Sequence, residues 1–180
     1  MSESPAALAK TARNKARGRK AAIKGETAGR LAWRADMLIT HVLERGHGAE
    51  DSYLRSATAV ETGLHIAAVD YLVEMIAPGD SLFIYSIVPS ATLARRRQQA
   101  KKNPEQAVLS TEESATVVRL ARLFDRARSV WKSEDGARRF LNTPHMLLDG
   151  RTPMDVALKT DEGARVVEEV LGKLEYGTAL

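Results

Sequence analysis

The side chains able to act as acids, bases, ligands or nucleophiles are few here, and none is arranged for catalysis. His41, His47, His65 and His145 stand apart, each without a second histidine or a carboxylate at metal-ligand spacing. The paired carboxylates Glu112-Glu113, Asp161-Glu162 and Glu168-Glu169 fall in predicted first turns of helices or on exposed faces, where the helix dipole and solvation account for them. There is no cysteine, which removes disulfides, thiol catalysis and zinc-thiolate sites together. No glycine-rich loop cradles a phosphate, and no serine sits in a G-x-S-x-G elbow. The chain therefore reads as a non-enzymatic protein without metal or cofactor.

What remains is cationic chemistry. Lys10, Arg13, Lys15, Arg17, Arg19, Lys20, Lys24 and Arg30 crowd the first thirty residues against only Glu3 and Glu26. A second cluster, LARRRQQAKK, holds Arg95, Arg96, Arg97, Lys101 and Lys102. From Leu109 onward acids and bases nearly cancel, so the net charge of +4 conceals a basic front half. Basic patches set apart from a near-neutral half suit an anionic partner, most often nucleic acid. For the first 24 residues a solvated tail is an equally good reading.

The elements that position these groups are helical. At 180 residues and 44% hydrophobic content the chain can bury a core. No apolar run reaches the roughly 20 residues that span a bilayer, and the first residues lack a signal peptide's apolar centre, so a soluble, cytoplasmic protein is expected. Apolar spacing predicts a helix over residues 30–45, with Leu31, Ala35, Leu38 and Val42 on one stripe, and another from Gly63 to Ala77. The box Ser110-Thr111-Glu112-Glu113 opens a third, lined by Val117, Leu120, Ala121, Phe124, Ala127 and Trp131. Ser133 caps the next, which Asn142-Thr143-Pro144 closes before a single turn ending at Gly150. Thr152-Pro153 and Thr160-Asp161 then start two helices within a few residues, the last running to about Glu175 with Gly177 as terminator.

The segment between these reads as a helix-turn-helix. In PGDSLFIYSIVPSATLARRRQQAKK, Asp80 or Ser81 caps a first helix packed by Leu82, Phe83 and Ile84, Val88-Pro89 turn the chain, and Ser90 caps a second helix carrying the arginines. Ser90, Thr92 and Arg96 then face base edges near the helix start, while Arg95, Arg97, Lys101 and Lys102 neutralise phosphates. The competing reading is a solvated helix end, where cations are favoured anyway. The organisation expected is a basic arm over 1–24, a helical DNA-binding and dimerising domain over 25–103, and a second helical domain over 104–180. A domain of this size binds DNA best as a homodimer on a palindrome.

The tail carries a recognisable pattern. ARRFLNTP from Ala137, LDGRTPMD from Leu148, TDEGA from Thr160, then Val167, Leu171, Gly172, Leu174, Tyr176 and Gly177 together resemble the C-terminal toxin-binding domain of the Xre/MbcA/ParS-type antitoxins, partners of RES-domain toxins in bacterial type II toxin-antitoxin systems. The resemblance covers about Leu109 to Leu180, and IVPSATLARRR extends it into an Xre-like helix-turn-helix. It implies an all-α antitoxin that covers the active site of a cognate RES toxin, an NAD-degrading enzyme, and represses its own operon at an operator DNA site. On that footing Asp149, Gly150, Arg151, Lys173, Tyr176, Gly177 and Leu180 are the candidate toxin-binding residues. Arg151 offers a planar fork for carboxylates, and Tyr176 offers aromatic area at low entropic cost. The alternative is a stand-alone helix-turn-helix regulator whose C-terminal half only dimerises.

Overall fold

The computed structural model describes residues 49–177. The basic arm, the helix expected over 30–45, His41, His47 and Leu180 lie outside the described residues. Within them the fold is all-helical. Seven α-helices follow one another: α1 (Ala49–Thr62), α2 (Ala67–Ile76), α3 (Ser90–Lys102), α4 (Thr111–Trp131), α5 (Glu134–Asn142), α6 (Pro153–Lys159) and α7 (Asp161–Glu175). No strand occurs among the described residues, where pairing is limited to one isolated bridge between His65 and Val108.

The longest helix, α4, is the hub: α1, α2, α5, α6 and α7 all pack on it. Its sequence explains why. The stripe Val117, Leu120, Ala121, Phe124 and Ala127 is buried as the spacing requires, and Val118 and Leu123 are buried too, which widens the apolar arc enough to serve neighbours on two sides. Each fully buried valine, leucine or phenylalanine contributes about 1.5–3 kcal/mol. Trp131, grouped with that stripe from the sequence, instead lies half exposed at the end of the helix with its ring 6.1 Å from that of Phe140. The capping box is formed: Glu113 N–H donates to the Ser110 hydroxyl, and the Glu113 carboxylate accepts from Ser110 N–H at 2.7 Å.

Three expectations need correction. Helix α1 has no counterpart in the sequence reading; among its described side chains the buried ones are the small residues Ser56 and Ala59, with Val60 partly buried beside them, which makes a weak apolar signal. The helix expected from Gly63 begins only at Ala67: Gly63 has a left-handed φ of +82° and directs the chain into a clasp instead. There Leu109 N–H donates to the Leu64 carbonyl at 2.7 Å, Ile66 N–H donates to Ala107 at 2.9 Å, and the buried Ser114 hydroxyl accepts from Leu64 N–H. Finally, the first helix of the expected helix-turn-helix is a single 3-10 turn, Phe83–Ser86; its N-cap is Leu82, not Asp80 or Ser81, and the Asp80 carboxylate accepts from Leu82 N–H and Phe83 N–H just ahead of it. Its inward residues Ile84, Ile87 and Val88 stand at i, i+3 and i+4 on one face, and Pro89, extended and without an N–H to donate, ends the segment after that turn.

The clasp contains a titrating group. Ala67 N–H donates to His65 Nδ1, and Nε2–H in turn reaches the Pro104 carbonyl at 3.1 Å. Burial pushes this imidazole below its ordinary value of 6.5, against smaller opposing pulls from the Pro104 carbonyl and the Asp70 carboxylate. Because the unfolded chain then takes up the proton first, stability present above pH 6.5 is lost as pH falls from there through the lowered native value. Thermal melts between pH 7.5 and 5 should show that decline in the native chain, and a His65→Gln variant should lack it.

Candidate functional site

Two surfaces gather the residues singled out from the sequence. The first is α3, which follows Pro89; Ser90 is its first helical residue, not its cap, since no side chain caps this helix. A single residue, Leu93, is fully buried in it. Such a helix needs other ties, and two arginines provide them. Arg96 forms an ion pair with Glu113 at the start of α4, both side chains being largely buried at 14% and 13% exposure, and Arg97 meets Asp70 of α2 at 2.5 Å in an exposed pair. Burial would raise the Glu113 carboxyl, but hydrogen bonds from Ser110 N–H, the Arg96 guanidinium and the Ser110 hydroxyl outweigh it and hold the group below 4.5. The one carboxylate thus starts α4 and anchors α3.

Arg96, expected near base edges, is therefore turned inward, and Thr92 is half-buried beside it. Arg95, Lys101 and Lys102 are exposed and make no ion pair among the described residues, so α3 offers three open cations along its outer side. Arg97 can exchange its solvent-exposed partner for a phosphate at little cost, because exposed pairs are worth about 0–1 kcal/mol.

The second surface lies in the C-terminal part, where caps dictate the path. The Ser133 hydroxyl accepts from Gly136 N–H at the start of α5, the Thr152 hydroxyl from Asp155 N–H at α6, and the Thr160 hydroxyl from Gly163 N–H at α7. The Asp155 carboxylate reaches back to accept from the Thr152 hydroxyl at 2.6 Å. Two longer ties fix these pieces on α4. Arg119 pairs with Asp161 and donates to the Leu158 carbonyl, and Arg126 pairs with Glu175 in the last turn of α7.

On this platform residues 145–151 form a loop closed on itself. His145 N–H donates to the Arg151 carbonyl at 3.0 Å, and Gly150 N–H donates back to the His145 carbonyl at 3.1 Å. Asp149 and Gly150 both take left-handed φ values, 55° and 73°, which makes the sharp return possible. Asp149 and Arg151 project outward, and the Arg151 Nε also donates to the Leu148 carbonyl. The ring of His145 stacks edge-on against Phe140, which in turn meets Trp131.

Tyr176 and Gly177 form the terminating turn of α7, where Gly177 has a φ of +67°. Tyr176 is 78% exposed, and Lys173 one turn earlier is exposed as well. No hydrogen bond or ion pair joins this turn to the 145–151 loop among the described residues. Sequence reasoning missed the most exposed apolar group of the loop: Met146 is 91% exposed with Leu147 half exposed beside it, while Leu148 points inward. The signal was three successive apolar residues in one turn, of which only one can be buried. No cluster of histidine, aspartate or glutamate able to hold a metal occurs among the described residues.

Comparison with known proteins places this second surface in context. Residues 126–177 match the family model described as the antitoxin Xre/MbcA/ParS C-terminal toxin-binding domain. The chain is also similar to Antitoxin Xre of Yersinia enterocolitica serotype O:8 / biotype 1B (strain NCTC 13174 / 8081), at 29% identity over 129 residues, covering 65% of this chain and 86% of that protein. No described helix is long and apolar enough to cross a membrane.

Proposed function

Starting from a C-terminal domain of the Xre/MbcA/ParS antitoxin type, we propose that this protein is an antitoxin that binds a cognate RES-type, NAD-degrading toxin and silences it by covering the active site. The match of residues 126–177 to a toxin-binding domain is the observation that carries this reading. The docking residues are Asp149, Gly150 and Arg151 of the hydrogen-bonded 145–151 loop and Lys173, Tyr176 and Gly177 at the end of α7, with Leu180, outside the described residues, as a further candidate. No catalytic step is assigned to the antitoxin itself.

The same chain, as a homodimer, represses its own operon. Helix α3 approaches the DNA with Ser90 and Thr92 at its start, Arg95, Lys101 and Lys102 on phosphates, and Arg97 after release from Asp70. Arg96 serves there as a positioning residue that holds α3 on α4.

Co-expression with the RES-domain toxin tests the main claim. Cells producing both proteins should grow and keep their NAD, and cells producing the toxin alone should not. Arg151→Ala or Tyr176→Ala should weaken toxin affinity by about 2 kcal/mol while leaving the melting temperature unchanged, since both side chains are exposed. Growth arrest despite abundant folded antitoxin would overturn the proposal and favour a stand-alone DNA-binding regulator.

A further inference from the structure

We infer that the 145–151 loop is a preformed apolar anchor, with Met146 as the side chain that enters a recess on the toxin and Leu147 as its flank. This rests on the antitoxin reading and adds to it the chemistry of the contact. Four backbone hydrogen bonds, His145 to Arg151, Gly150 and Leu148 to His145, and Arg151 to Leu148, pair the loop's polar groups among themselves at 3.0–3.1 Å. The loop is thus shaped before any partner arrives, and little backbone entropy is lost on binding. Leu148, 2% exposed, pins it to the core, which leaves Met146 at 91% exposure contributing almost nothing to folding.

The occupant follows from position and size. Met146 lies inside the segment that matches a toxin-binding domain, continuous with Asp149 and Arg151. Two convex side chains fall far short of the roughly 800 Å² per partner that a stable dimer buries, so pairing this tip with its own copy would leave a weak contact. A protruding methionine instead suits a concave, apolar recess on a different protein, because its unbranched, polarisable chain adapts to irregular walls. The opposite charges of Asp149 and Arg151 then form a polar rim around that apolar centre.

The test titrates the full chain against the purified RES-domain toxin by calorimetry. Met146→Ser should weaken binding by about 30-fold or more, and Met146→Leu, which keeps the apolar volume, should stay within about 3-fold of the native chain. Both variants should melt as the native protein does. Native-like binding by Met146→Ser overturns the anchor and leaves the antitoxin reading intact. Failure of the native chain itself to bind overturns the reading and the anchor with it. Should sedimentation show that Met146→Ser turns a dimer into a monomer, the tip is a contact between copies and the inference is wrong.

Discussion

Gly163→Ala is expected to lower the unfolding free energy by about 3 kcal/mol. The first turn of α7 lies directly against α6, and a Cβ at position 163 would fall well inside the contact radius of the Val156 carbonyl oxygen. That oxygen belongs to backbone and cannot rotate aside, so the two helices must separate. Thr160, whose hydroxyl accepts from Gly163 N–H, would be displaced with them, and Arg119 would lose its reach to Leu158 and Asp161. Gly172→Ala supplies the comparison within the same helix. A Cβ there meets nothing within 4 Å, and alanine in a helix interior should add about 0.5–1 kcal/mol. Urea unfolding of the two variants should move the midpoint in opposite directions; equal midpoints would mean that α6 and α7 are not in close contact.

The second large effect concerns the open cations of α3. Each phosphate neutralised adds about 0.9 to the magnitude of the salt slope of DNA affinity. In the proposed homodimer Arg95, Lys101 and Lys102 of both copies would therefore contribute at most about 5, enough to make affinity fall by about 1,000-fold between 50 and 200 mM salt. The triple alanine variant should bind the DNA upstream of its own gene weakly and with a salt slope smaller by up to about 5, as fluorescence anisotropy would show. Arg96 is left in place because its replacement would strand the largely buried Glu113 and confuse folding with binding. An unchanged slope would mean that the three cations are merely solvated.

The contrast between these two regions shows what a linear reading can reach. Caps are local, so Ser110 with Glu113, Ser133, Thr152 and Thr160 marked the starts of α4, α5, α6 and α7 without knowledge of the fold. The stripe of α4 was legible for the same reason. Helix α1 was less legible, since its fully buried described side chains, Ser56 and Ala59, are small and give little periodic signal. The clasp of residues 64–66 with 107–109 joins segments some forty positions apart, and no local pattern announces it. In the site, the turn at Asp149-Gly150 and the exposed end at Tyr176 could be read from the sequence. The inward commitment of Arg96 could not, because its partner is 17 residues away on another helix. Met146 escaped notice because an apolar side chain in a short turn is ordinarily assigned to the core.

Because the 145–151 loop meets its own hydrogen-bonding needs and stands on Leu148, the outward side chains at positions 146 and 147 carry little structural duty. Substitutions there can accumulate without threatening the scaffold. If that tip is the anchor proposed above, two duplicated copies of such a gene can drift apart in what they bind while keeping the same architecture.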